Sequence, residues 1–139
     1  MATEHVRGLR LFVADAAGEN WSELTAGGTA AVRIAAPDLH EARRVRGRIT
    51  DDVAVILDIT VAIAADYRSA RHAMPRIDGD TLHYAGTIEG LAGLVGDIFM
   101  ADVADGVTII PASPEQDMRR LADEALDRIA RRLPLAGAA

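Results

Sequence analysis

Asp58 interrupts an otherwise apolar run, VAVILDITVAIA (53–64), and is the first residue whose chemistry demands a partner. A carboxylate withdrawn from water is costly unless it is hydrogen-bonded or paired with a cation. Arg33, inside the short apolar stretch Ala30–Ile34, and Arg10, inside LRLFVAD, are the cations that neighbouring strands would bring to it. Such a group reads as a structural ion pair, the plainer option, or as the wall of a polar cavity for an anionic ligand. Gly86-Thr87 is a second place for chemistry. At a helix start it offers free backbone N–H groups and a positive dipole end, hence a phosphate seat, although an ordinary Thr N-cap accounts for the pair equally simply.

Ser113 also reads first as a helix cap, but it follows the last apolar stretch, at the end of a strand where barrel enzymes keep their active sites. His83, just before Gly86, is the candidate catalytic residue, since imidazole is a general acid or base near neutral pH. No second catalytic partner is fixed by spacing, so a loop or surface role competes with it. His5, His40 and His72 are scattered without metal-ligand spacing, and Asp78 and Asp80 around Gly79 are too few for a calcium loop. Arg43, Arg44, Arg46 and Arg48 cluster on one segment and read as a solvated helix face. Neither a nucleotide-binding glycine fingerprint nor a nucleophile elbow is present.

Composition narrows the classes. The 139 residues suit one domain, half of them hydrophobic and about a quarter charged, which is globular composition. Aromatics are scarce, so Ala, Val, Ile and Leu must build the core. There is no Cys, which removes disulfides, thiolate metal sites and thiol nucleophiles, and no Lys, which removes Schiff-base chemistry. A net charge of −6 argues against nucleic acid as partner. No apolar run approaches the roughly 18 residues of a membrane span, and the start MATEHVRG has no apolar signal region. A cytoplasmic protein without membrane contact is the expectation.

The elements that must position these residues follow from periodicity and punctuation. Val53–Ala64 is a long central strand: its odd positions are large and aliphatic, for a helix-covered face, and its even positions are smaller and carry Asp58 and Thr60. Strands are also expected at Leu9–Asp15, Ala30–Ile34 and Val107–Ile110, with a brief extended piece at Thr81–Tyr84. Helices are expected at Ala17–Thr25, from Leu39 to about Ile49 behind the Asp38/Glu41 capping box, and through Arg68 and His72 behind Asp66 and ahead of Pro75. Two more are expected: one from Gly86-Thr87 through Phe99, and one from an N-cap Ser113 with Pro114 at its first position to about Leu133. Asp78-Gly79-Asp80 reads as a turn, and the tail beyond Pro134 as frayed. The order is βα repeated four times, which implies an α/β fold with parallel strands.

Within this order, RIAAPDLHEARRVRGRITDDVAVILDITVAIA and then LHYAGTIEGLAGLVGDIFMADVADGVTIIPASPEQDMRRLADEALDRIARR resemble the carboxy-terminal half of the bacterial luciferase-like, flavin- or deazaflavin-dependent monooxygenases. Gly86-Thr87 match the first two positions of the family's Gly-Thr-Pro helix start, with Ile88 in place of Pro. Asp105-Gly106-Val107 matches the entry to its last strand, and Pro111 follows in the family manner. The resemblance spans roughly residues 9 to 133.

The resemblance implies half of a (β/α)₈ TIM-type barrel, since the whole fold needs about 250 residues. It implies a flavin-associated oxidoreductase or monooxygenase-type protein holding FMN or a deazaflavin coenzyme at the carboxy-terminal strand ends. Arg33, Asp58, Gly86, Thr87 and Ser113 are then the cofactor-binding candidates. The alternative is a non-catalytic remnant that binds a flavin, another small ligand or a protein. A free-standing flavodoxin-like sheet is a third option, for which Ala16-Ala17-Gly18 makes a poor anion loop. Half a barrel leaves open strand edges that need cover, from a homodimer or from a complementary barrel-half chain.

Overall fold

The strand β4 (Ala54–Ile63) is the spine on which everything else is hung. In the computed structural model, residues 8–28, 30–74, 80–114 and 116–137 are described. The expected Asp78-Gly79-Asp80 turn, the stop at Pro75, and the segment carrying His5 lie outside them. β4 alternates as its sequence predicts: Val55, Leu57, Ile59 and Val61 are at most 2 % exposed and belong to the aliphatic core, while Asp58 and Thr60 point to the other face. One edge of β4 pairs in parallel with β6 (Gly106–Pro111). The opposite edge takes two parallel partners in series, β3 (Ala31–Ile34) along residues 54–57 and β5 (Leu82–Gly86) along 59–63. A ten-residue strand is long enough for both, and Asp58 falls at the step between them.

β1 (Arg10–Val13) pairs in parallel with β6, and β2 (Ser22–Glu23) pairs antiparallel with β1, giving the order β2-β1-β6-β4-β3 with β5 beside β3 on β4. The result is a curled, mostly parallel sheet resembling half a barrel, in a mixed α/β fold with four helices among the described residues. The helices are α1 (Leu39–Arg46), α2 (Tyr67–Ala73), α3 (Ile88–Met100) and α4 (Met118–Ala130). Ala42 of α1, Leu91, Ala92, Val95 and Ile98 of α3, and Leu121, Ala122, Ala125 and Ile129 of α4 share one core with the odd positions of β4. Their spacing of three and four residues is the apolar stripe the sequence shows. Asp38, Asp66 and Thr87 cap the first three helices as expected, each accepting a backbone N–H from three residues on.

Four elements depart from the sequence expectation. Ala17–Thr25 is not a helix. Asp15 Oδ1 accepts the N–H groups of Ala17 and Glu19, Oδ2 accepts the Asn20 amide, and Gly18 and Asn20 take positive φ. That turn returns the chain antiparallel along β1, so the first strand is followed by β2 and not by a crossover helix. The four βα units are therefore β3α1, β4α2, β5α3 and β6α4. α1 stops at Gly47, with three-residue turns carrying the chain on through Ile49. α4 starts behind Asp117 and not Ser113, because the Gln116 side chain is drawn to the end of β4: its Oε1 accepts Ile63 N–H at 3.1 Å and its Nε2 donates to Val61 O at 3.4 Å. The tail is not frayed through Gly137. Leu9 N–H donates to Pro134 O, Ala136 N–H to Leu9 O, and Ala26 N–H to Ala136 O, so Leu135 bridges to the sheet beside β1.

Candidate functional site

The face of the sheet opposite the aliphatic core carries the polar residues. Register fixes its rows: Arg10, Gly106, Ile56 and Arg33 lie side by side, then Phe12, Thr108 and Asp58, then Ile110, Thr60 and His83. Arg33 Nε donates to Asp58 Oδ1 at 2.8 Å, which is the pair the sequence proposed. The other proposed cation, Arg10, does not reach Asp58. It is held by Glu23 through two bonds, Nε to Oε2 at 3.0 Å and Nη2 to Oε1 at 2.8 Å, because the antiparallel β2 places Glu23 beside it.

Two residues complete the cluster around Asp58 that local pattern did not reveal. Thr108, fully buried, donates its hydroxyl to Asp58 and accepts the indole N–H of Trp21 at 2.8 Å. Indole nitrogen is only a donor, so the direction of this chain is fixed: Trp21 to Thr108 to Asp58. The Trp21 ring lies flat on Phe12, with centroids 4.3 Å apart and planes 10° from parallel, and the Arg33 guanidinium sits 5.9 Å from its centroid. The signal available in the sequence was the single tryptophan beside a Gly-Glu-Asn turn, but its contact with Thr108, 87 positions away, is set by register alone.

Burial pushes the Asp58 carboxyl above the usual carboxylate range, and Arg33 and the Thr108 hydroxyl recover only part of that. Glu23 goes the other way. Burial again opposes ionisation, but the Arg10 fork, the Thr25 hydroxyl and the Gly27 N–H outweigh it and hold the carboxyl below its ordinary value. The two therefore contribute oppositely to stability with pH. For Asp58, the folded state binds the proton more tightly than the unfolded chain, so its contribution is full below an unfolded value of about 3.9 and is lost as pH rises through the folded one. For Glu23 the contribution is present above its unfolded value and is lost as pH falls through the depressed folded value.

Asp58→Asn, which keeps an acceptor without the charge, is accordingly expected to stay within about 1 kcal/mol of the parent at pH 7. Asp58→Ala should lose about 2–3 kcal/mol through the stranded Thr108 and Arg33 donors. Urea midpoints between pH 4 and 7 check both, and the Asn variant should gain on the parent as pH rises. A pH-independent difference, or equal losses for Asn and Ala, would contradict this assignment.

The remaining sequence candidates lie at the carboxy-terminal end of the sheet. A cleft of about 520 Å³ opens there between the starts of α3 and α4, with Ile63, Ile88 and Leu121 as apolar lining and Thr87, Arg120 and Glu124 among its polar residues. Thr87 lines it, but its hydroxyl is the α3 cap, accepting Gly90 N–H at 3.2 Å. Gly86 is shaped for another purpose. The Tyr84 hydroxyl, which donates to Thr87 O at 2.9 Å, packs so closely on Gly86 and Gly90 that a Cβ at either would collide with it. Ser113 does not line the cleft; its carbonyl accepts Gln116 N–H in the turn before α4. His83, half-buried, meets Thr81 O through Nδ1 at 2.6 Å. A carbonyl can only accept, so Nδ1 carries the proton and Nε2 is the nitrogen left for other partners.

The structure thus unites Arg33 with Asp58, sets Thr87 in a separate cleft, and leaves Gly86, Ser113 and His83 with local structural contacts. Among the described residues no three His, Asp or Glu side chains gather to hold a metal ion, and no helix is long and apolar enough to cross a membrane. No protein-family model matches the chain, and no curated protein matches it in sequence.

Proposed function

We propose that this chain is a luciferase-like half-barrel that binds a small, phosphate-bearing planar ligand of the flavin type, without monooxygenase chemistry of its own. The observation that carries the reading is the cleft at the carboxy-terminal strand ends, the location of active sites in β/α barrels. Its volume falls within the roughly 300–1,000 Å³ usual for small-molecule sites. Strand order agrees with a half-barrel only in part: β3 and β4 pair in parallel in sequence order, but β6 takes the other edge of β4 and pairs in turn with β1. β5, added on the edge of β4 beside β3, is a further departure.

The cleft residues fit FMN or a deazaflavin coenzyme in kind. Arg120 would hold the phosphate by exchanging its exposed ion pair with Glu124, 3.8 Å away, the α3 start would complement the phosphate charge, and Ile63, Ile88 and Leu121 would take the ring. A bound flavin would supply redox chemistry; the chain's own part is to bind and orient it. Asp58, Arg33, Thr108 and Trp21 engage one another on the polar face and do not line this cleft.

A flavin-dependent oxidoreductase assembled from a homodimer, or with a complementary barrel-half chain, is the second reading. It is favoured by the edges of β3 and β5, which pair with β4 alone among the described residues. Titrating the purified protein with FMN and with a deazaflavin, followed by flavin fluorescence and light scattering, tests both. Saturable binding to a monomer, weakened at least tenfold by Arg120→Ala, supports the first; a stable dimer that reduces or oxidises bound flavin supports the second. No binding of either coenzyme overturns the flavin assignment.

A further inference from the structure

The polar sheet face is covered by a residue that is not part of it. Every other member of the Asp58 cluster stands on a strand: Phe12 on β1, Arg33 on β3 and Thr108 on β6. Trp21 comes from the connection between β1 and β2 and is laid back over them. Its seat has three separate recognition elements. Phe12 offers a flat aromatic surface at stacking distance, buried Thr108 offers a hydrogen-bond acceptor at the ring edge, and Arg33 offers a cation to the ring. That is the equipment for holding a planar heteroaromatic bearing one N–H. The loop presenting the indole is built to hold it there, through the three bonds Asp15 accepts and the positive φ of Gly18 and Asn20.

We propose that Trp21 is an intramolecular plug: its indole occupies a ring-binding seat formed by Phe12, Thr108 and Arg33, and thereby excludes flat N–H heteroaromatics from the polar sheet face. This inference is independent of the carboxy-terminal cleft and of any flavin. It also explains how half a barrel shields a face that a whole barrel would enclose: Ile56 and Thr108 are fully buried there without help from another chain.

Removing the plug opens the seat. Trp21→Gly should be less stable than the parent, and free indole should restore its melting temperature saturably, by several degrees. Indene, the same shape without the N–H, should restore it clearly less, and Trp21→Gly combined with Thr108→Val should lose the preference for indole over indene. The parent protein should respond to neither compound. An equal response of parent and variant, or none in the variant, overturns the proposal.

If Trp21→Gly does not fold, the parent still decides, because Trp21 is its single tryptophan. Acrylamide should quench its fluorescence several-fold less in the folded chain than in urea, and Thr108→Val should raise that quenching. Equal quenching of folded and unfolded chains would place the indole in solvent and end the idea.

Discussion

Replacing Asp105 by Ala is expected to remove about 3–5 kcal/mol of stability, the loss typical when one partner of a buried ion pair is deleted. Against the 5–15 kcal/mol of an ordinary domain this leaves a marginal fold. Asp105 is 6 % exposed and joins three elements. Its Oδ1 accepts Arg46 Nη2 of α1 at 2.9 Å, its Oδ2 accepts Val55 N–H of β4 at 2.8 Å, and its own carbonyl accepts Arg10 N–H at the start of β1. Removing the carboxylate strands a backbone donor in the core, since Val55 is 2 % exposed. It also strips the Arg46 guanidinium of its buried counter-ion. Among the described residues only the exposed Asp102, at 3.4 Å, then remains, and among them Arg46 Nη1 is already buried without a hydrogen-bond partner. Asp105→Asn keeps an acceptor for Val55 and should cost about 1–2 kcal/mol. Urea unfolding compares the two, and amide exchange at Val55 locates the damage. Equal losses for Ala and Asn would assign the effect to charge alone. A loss below about 1 kcal/mol for Ala would show that Arg46 and Val55 find water instead.

How much of this was legible beforehand differs by element, for physical reasons. β4 was legible because a long run without Gly or Pro and rich in β-branched residues reads as a strand, and the parity of its positions put Asp58 on the face away from the helices. Its partner was legible only as a choice of two, because which strand neighbours which is decided by pairings far apart in sequence. Arg33 was the right cation, and Arg10 was claimed by a Glu23 that a helical reading of Ala17–Thr25 had placed elsewhere. That segment failed because nine residues with two large apolar side chains suit a helical turn and a hairpin alike; what decided it was Asp15 collecting the N–H groups of the turn. Ser113-Pro114 reads as the helix start, and the helix begins behind Asp117 instead because Gln116 serves the end of β4, a contact over 53 residues that local pattern does not show. The docked tail was invisible for the same reason, since Leu135 pairs with Leu9. In the candidate site the residue types were visible and their assembly was not: Gly86 reads as part of a helix start offering a phosphate seat, whereas it ends β5 against the Tyr84 hydroxyl.

The other half of the Asp105-Gly106 pair yields the second large effect. Gly106→Ala is expected to destabilise by about 3 kcal/mol, at the upper end of the range for overpacking a core. In the register Arg10↔Gly106, a Cβ on residue 106 would run into the carbonyl oxygen of Arg10 and crowd its Cβ. The obstacle is backbone, so no change of rotamer relieves it; β1 must move away from β6. Such a shift would strain the bonds from Arg10 N–H to Asp105 O and from Ala14 N–H to Ile109 O, and would disturb the Arg10–Glu23 pair and the Phe12 platform with it. The two origins of the clash can be separated. If the carbonyl is the cause, Gly106→Ala costs nearly as much in an Arg10→Gly background, which removes the Arg10 Cβ, as in the parent, although Arg10→Gly is itself damaging through Glu23. If the Arg10 side chain is the cause, the double variant recovers most of the loss, and the two strands are then in contact through their side chains and not their backbones. Because both residues of the pair act on β1, β4 and β6 together, the glycine by allowing close approach and the aspartate by tying the strands and α1 once they are close, the Asp-Gly dipeptide is best understood as the junction of the sheet, quite apart from any ligand.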